Sequence, residues 1–267
     1  MTLLVSWIGK DSRKISSFYI ASDSRFSWGN PIKYEYGRKV FAFTNSPDIL
    51  GYCGDVSYPT VIINQIMEME KEGILFPENS TNEDRSTILF SEITKKFENY
   101  PSTKVMRSSL EIIHVSRDHA TDFICNIFKW TKLDGWSKRK QEIPETSDKV
   151  IVLGSGAEEF YNRYLEYYRG FNGKTSRALF QCLCHSLLKI KDFQCGVAPQ
   201  LVGLYNRFNG KNFGVIYENT RYFLGREIEP NKLISKLEWR NELFERCDGH
   251  STSILNGAQR QPNELRP

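Results

Sequence analysis

Thr2-Leu3-Leu4-Val5-Ser6-Trp7-Ile8, then the polar turn Gly9-Lys10-Asp11-Ser12, then Ile15-Ser16-Ser17-Phe18-Tyr19-Ile20-Ala21-Ser22, is the stretch that decides the fold. Both runs are strand-sized and rich in branched and aromatic residues, so they predict an antiparallel pair at the start of the chain. No basic n-region and no apolar stretch of about 7–15 residues accompanies this start, so no signal peptide is expected.

Working outward, short strands are predicted at 39–43 and 49–53. The period then changes. Ser57 with Pro59 suits a helix start, and Ile62, Ile66 and Met69 form one face before Gly73. A second helix is predicted over 84–99, with Leu89, Ile93 and Phe97 on one stripe. Strands return at 110–115, 122–130 and 150–153. Two helices follow, one striped by Phe160, Tyr161, Tyr164, Leu165 and Tyr168, the other by Leu179, Leu183 and Leu187. Strands at 201–208 and 213–217 are joined by Asn209-Gly210, which suits a tight hairpin turn. A last amphipathic helix is expected over about 231–247, with Leu233, Leu237 and Phe244 inward, before a polar tail. Strand clusters alternating with helix pairs predict an α+β, four-layer αββα sandwich of two mostly antiparallel sheets. It would span residues 1–225, with 226–267 as a helical extension and frayed tail.

Composition excludes several classes. The chain has 267 residues, with 40% hydrophobic and 25% charged, near globular averages. The longest apolar runs are far short of the roughly 20 residues that span a bilayer, so no membrane contact is expected. The 36 basic and 32 acidic residues give a net charge of +4 with interspersed signs, so no nucleic-acid partner is implied. Lys138-Arg139-Lys140 reads as a solvated loop. The six cysteines contain no CxxC pair, and Cys182 and Cys184, two apart on a helix, point away from each other, so no metal site is expected. There is no P-loop, Rossmann fingerprint, HExxH or GxSxG. His114, His119 and His185 fall in or beside core elements and read as structural.

Chemistry can begin at residue 2. If Met1 is removed, Thr2 carries a hydroxyl nucleophile and a free α-amine, which titrates near about 7.7–8 and can accept the hydroxyl proton at working pH. Met-Thr alone says little. The ordered set Ala21-Ser22-Asp23-Ser24-Arg25, Gly29, Arg38-Lys39-Val40-Phe41, Gly51 with Gly54-Asp55, and Leu153-Gly154-Ser155-Gly156 says more, with its 16-residue step from Asp23 to Lys39. It resembles the proteasome β-subunit family, including the peptidase of the bacterial two-component ATP-dependent protease and Anbu-type proteins. These are N-terminal-nucleophile hydrolases with an αββα fold. The resemblance is strongest over 2–60 and returns at 150–157 and 188–217. Residues 74–148 match only in element order.

The resemblance implies Thr2 as nucleophile and Lys39 as the active-site lysine, held by Asp23. It implies Arg25 as a structural partner, Gly54 as the oxyanion-hole donor and Ser155 as the serine beside the threonine amine. Asp192 and Cys195 stand for the family's second aspartate and serine. Cysteine at the serine position is a departure, since a thiol is the weaker donor. Phe26, Ser27, Phe41, Tyr52 and Val56 would line an aromatic pocket suited to hydrophobic side chains, or belong simply to the core. The resemblance further implies a threonine-type peptidase in the cytoplasm, acting on peptide or protein substrates without a cofactor, in a homo-oligomeric ring or stack. Whether an ATPase partner exists is left open. A non-catalytic structural subunit and a small-molecule amidase or acylase on the same fold are the alternatives.

Overall fold

Alternate side chains of the first strand face two different cores, and this alternation sets the layering. The computed structural model describes residues 2–11, 14–101, 106, 109–229, 231–232 and 236–260. The first strands are β1 (Leu4–Asp11) and β2 (Lys14–Ser22), followed by the short β3 (Phe26–Ser27) and β4 (Lys33–Tyr34), then β5 (Val40–Ala42) and β6 (Asp48–Gly54). Helices α1 (Ser57–Lys71) and α2 (Asn82–Phe97) come next, then β7 (Leu110–Asp118), β8 (Asp122–Thr131), β9 (Gly135–Lys140) and β10 (Lys149–Leu153). Helices α3 (Ala157–Arg169) and α4 (Ser176–Lys189) lead to β11 (Gln200–Tyr205), β12 (Lys211–Tyr217), β13 (Thr220–Phe223) and β14 (Arg226–Glu227). The last strands are β15 (Trp239–Asn241) and β16 (Arg246–Cys247).

One sheet runs β10-β1-β2-β11-β12-β13-β14, and the other runs β5-β6-β7-β8-β9. Leu3, Val5 and Trp7 join Tyr19 and Ala21 in a cluster with Phe160 of α3 and Phe180, Leu183 and Leu187 of α4. Leu4 and Ile8 point the other way, with Phe18 and Ile20, onto Val40, Ala42, Ile49, Ile113 and Val115 between the sheets. On the far face of the second sheet, Phe41, Phe43, Leu50, Ile112 and Phe128 pack under Ile62 and Ile66 of α1 and Leu89 and Ile93 of α2. Period-2 strands facing two cores therefore build four layers, αββα, as the order of elements predicts. Each fully buried large apolar side chain contributes about 1.5–3 kcal/mol.

The helix ends follow local chemistry. Thr81 and Asp84 form a reciprocal capping box at the start of α2, and Thr175 accepts from Ala178 N–H at the start of α4. No described helix is long and apolar enough to cross a membrane.

Several expectations need correction. The helix predicted over 231–247 is absent among the described residues there. Trp239–Asn241 instead pairs parallel to residues 214–216 of β12 and antiparallel to β16. Phe244 is buried as expected, but it joins the core beneath α4, and Leu233 lies outside the described residues. Lys138-Arg139-Lys140 is not a loop but part of β9, the edge strand paired to β8. Asn209-Gly210 is not a two-residue turn, because β11 ends at Tyr205 and β12 begins at Lys211. A Cβ on Gly210 would stand 2.5 Å from Asp48 O, so this glycine serves a close approach to the other sheet. Tyr161 and Leu165, expected on the buried stripe of α3, are exposed, while Phe160 and Tyr164 are buried.

Candidate active site

Thr2 lies two residues before the start of β1, Asp23 immediately follows β2, and Lys39 immediately precedes β5, so the ends of three strands bring these residues together. Lys39 Nζ lies 2.9 Å from Thr2 Oγ1 and 2.8 Å from Asp23 Oδ1. The side chains of Lys39 and Asp23 are both fully buried. Burying an ion pair is costly unless its remaining hydrogen-bonding capacity is filled. Here it is filled. Asp23 Oδ1 also accepts from Leu3 N–H at 3.1 Å, and Oδ2 accepts from Arg25 N–H at 3.1 Å and Gly196 N–H at 3.0 Å. Met1, whose removal the sequence reading requires, lies outside the described residues.

The main chain of Thr2 is held as closely as its side chain. Thr2 C=O accepts from Gly156 N–H at 3.2 Å. Gly154 has φ +91°, and a Cβ there would stand 1.9 Å from Thr2 O. The Gly-Ser-Gly turn is thus glycine-bearing because it presses on residue 2.

Ser155 Oγ lies 3.4 Å from Cys195 Sγ, and the thiol donates to Asp192 Oδ2 at 3.5 Å. These three residues form their own cluster, and no hydrogen bond joins Ser155 to Thr2. Burial, reinforced by the Asp23 carboxylate, pushes the Cys195 thiol up to about 12, so it stays protonated and able to donate. For Asp192, burial opposes ionisation, but hydrogen bonds from Ser155, Gln194 N–H and Cys195 outweigh it and hold the carboxyl below the usual aspartate range.

Arg25 is a tie between segments. Its Nη1 donates to Phe193 O at 3.0 Å and Cys195 O at 2.8 Å, while Nε bridges to Glu35 at 2.8 Å. Gly54, at the end of β6, has φ +96°, and a Cβ there would stand 2.0 Å from Ser109 O. The segment leading into β7 therefore requires glycine at this position. Phe26, Phe41, Tyr52 and Val56 are all buried in the cluster under α1, and Ser27 is half-buried on β3. Phe41 stacks on Tyr52 with ring centres 6.2 Å apart, and Lys39 Nζ lies 5.9 Å from the Phe26 ring centre. Phe26 and Tyr52 are thus core residues that also neighbour Lys39, Tyr52 donating its N–H to Lys39 O at 3.0 Å.

Gln200 is a participant the sequence reading missed. Fully buried on β11, it accepts from Lys39 N–H at 3.0 Å through Oε1. Its Nε2 donates to Asp23 O at 3.0 Å and Gly37 O at 2.6 Å. One amide thus clamps the backbones that carry both charged residues. Gln200→Leu strands several buried backbone groups at about 1–3 kcal/mol each. The expected result is a lower denaturant midpoint with an unchanged slope, read by urea unfolding.

No protein-family model matches the chain, and no curated protein matches its sequence. Solved structures do match. Anbu from Yersinia bercovieri, described as an ancestral β-subunit, superposes with a TM-score of 0.55 at 12% identity, covering 84% of this chain and 87% of that one. A Gly-1 mutant of Anbu from Hyphomicrobium sp. strain MC1 gives a TM-score of 0.52 at 11% identity, covering 79% and 85%. At such identities the likeness is one of fold. With four layers, sheet order and strand-end cluster in place, the chain has the αββα fold of the proteasome-like N-terminal-nucleophile hydrolases, shared with Anbu.

Proposed function

We propose that this protein is an N-terminal threonine hydrolase that cleaves amide bonds, a proteasome-like peptidase working through an acyl-enzyme on Thr2 once Met1 is removed. The observation that carries the proposal is the buried Lys39 ammonium set between Thr2 Oγ1 and Asp23. A cation at 2.9 Å favours the deprotonated hydroxyl, and Asp23 fixes the cation there. In the first step Thr2 Oγ1 attacks the amide carbonyl carbon and its proton passes to the α-amine. The tetrahedral oxyanion is met by a fixed N–H donor, the role assigned to Gly54. The C–N bond breaks, the leaving amine takes the proton from the α-ammonium of Thr2, and water activated by the freed α-amine of Thr2 releases the acyl group. Homo-oligomeric assembly and a cytoplasmic setting belong to this reading.

The test is mass spectrometry of the purified protein before and after incubation with a peptide β-lactone. The N-terminal fragment should begin at Thr2 and gain the acyl mass on that residue. An unmodified Thr2, or a fragment beginning at Met1, would overturn the proposal.

A further inference from the structure

Trp7 and Tyr19 fill the core beneath α4, but the next residues on the same face of the same two strands, Gly9 and Ser17, are small. Gly9 of β1 stands across from Ser17 of β2, and Ser17 stands across from Tyr205 of β11. A Cβ on Gly9 would lie 2.5 Å from Ser17 Oγ and 2.9 Å from Ser176 Oγ, so the first residue of α4 sits directly over this row. Here the end of the sheet opens into a cleft of about 510 Å³. Arg240 and Phe244 in its lining come from the segment after β14, so the chain beyond residue 225 helps to build it. Thr2 is at the other end of β1. The step from Thr2 to Gly9, at about 3.3 Å per residue, puts the cleft roughly 23 Å from the nucleophile.

The lining is strongly basic. Lys10, Lys174, Arg177 and Arg240 contribute to it alongside one described carboxylate, Asp11. Arg240 is paired with Glu238, whereas the other three have no described carboxylate within ion-pair distance. Burial pulls the Arg177 guanidinium below its ordinary value, with Glu245 opposing the effect and the Arg240 charge adding to it. Positive groups gathered around one concave space focus their field on an anion placed there. Hydrogen-bond donors without partners lie at the same place. Thr175 caps α4 by accepting from Ala178 N–H at 3.3 Å, which leaves the N–H groups of Ser176 and Arg177 without a hydrogen bond among the described residues. Arg240 Nε is buried and likewise has none. Phe244, whose ring centre is 4.8 Å from the Arg240 guanidinium carbon, and Tyr205 give the cleft an aromatic side.

We infer that this cleft is a second site, remote from Thr2, for a small phosphate monoester, its phosphate against Arg177 and the start of α4 and its organic part beside Phe244 and Tyr205. Main-chain donors at a helix start, a guanidinium fork and nearby ammonium groups together suit a doubly charged group with three terminal oxygens better than a single carboxylate. The volume falls within the roughly 300–1,000 Å³ typical of small-molecule sites. Arg177 belongs to the sandwich and Phe244 to the segment that follows it, so one ligand would bridge the two and stabilise their packing. The inference is independent of the hydrolase reading.

The experiment titrates the full chain with phenyl phosphate in a calorimeter at low ionic strength, with benzoate and inorganic phosphate as comparisons. Phenyl phosphate should saturate with a Kd below about 1 mM. It should bind more tightly than benzoate, which has the ring but one charge, and than inorganic phosphate, which has the charge but no ring. Arg177→Met should weaken it about tenfold or more, the worth of one charge-assisted hydrogen bond. Lys174→Gly should weaken it about two- to fivefold, as for an exposed ion pair. Lys174 has φ +57°, which glycine adopts freely, so this second variant spares the fold. Thermal unfolding without ligand checks that both variants fold. No saturation by phenyl phosphate in the millimolar range, or equally tight binding of benzoate or inorganic phosphate, would overturn the inference. So would an unchanged affinity in folded Arg177→Met or, if that variant does not fold, in Lys174→Gly. Binding abolished by prior acylation with a peptide β-lactone would place the ligand at Thr2 and overturn it as well.

Discussion

Thr2→Ala is expected to cut peptide hydrolysis by about 10³-fold or more while leaving the fold intact. The hydroxyl is the atom that would form the acyl bond, and no neighbouring group can replace it. Losing a nucleophile of this kind typically costs several orders of magnitude, and what remains comes from substrate binding and the oxyanion donor. The structural cost is small by comparison. The variant loses the 2.9 Å bond from Lys39 Nζ, but the lysine keeps its 2.8 Å contact with Asp23. The ion pair therefore stays satisfied, and the melting temperature should move by only a few degrees. Thr2→Ser keeps the hydroxyl and should keep measurable activity. The check is kcat and KM for both variants on a fluorogenic peptide panel beside the Thr2 protein. Equal rates for Thr2 and Thr2→Ala would remove Thr2 from the mechanism.

Lys39→Met is expected to have the largest effect on stability as well as stopping turnover. It removes the cation that pairs with Asp23, whose carboxylate is fully buried and has no other ion-pair partner among the described residues. Breaking one partner out of such a pair typically costs about 3–5 kcal/mol, because the remaining charge stays desolvated. The three backbone N–H groups on Asp23 soften this loss without neutralising the charge. Asp23→Asn combined with Lys39→Met removes both charges, so the double variant should be more stable than the sum of the single changes predicts. Guanidinium unfolding of the single and double variants measures the coupling. Additive changes would mean that the pair contributes no interaction of its own. Activity should be lost in all three, since each lacks the buried cation or its anchor.

Much of this architecture was legible because the residues carrying it obey short-range rules. β1 and β2 are read from branched and aromatic runs, and α1 and α2 from spacing and capping residues. The Asp23–Lys39 step could be read as a motif because both residues sit beside strand ends at a fixed interval. Where the reading failed, the deciding partner lay far away in sequence. Residues 231–247 have apolar spacing that fits a helix. Trp239–Asn241 within them is instead held as a strand by the edge of β12 that β11 leaves after residue 213, and that edge lies more than 20 residues upstream. Lys138-Arg139-Lys140 reads as a loop in sequence because an edge strand with both faces largely exposed shows no alternation. Gln200 has no local signal, since a glutamine in a strand is ordinary until its three-way clamp is seen.

The Asp23 cluster has a consequence for how the protein comes into being. Its donors come from residues 3, 25, 39 and 196, and Gln200 locks the same backbones. During synthesis Thr2 and Lys39 leave the ribosome long before Gly196 and Gln200, and contacts spanning so much chain close late. A nascent chain therefore carries an ordinary threonine hydroxyl. On the proposed reading, exposing the amine is not enough to make residue 2 reactive. Completion of the fold is a second, independent safeguard, and a half-made protein is chemically silent.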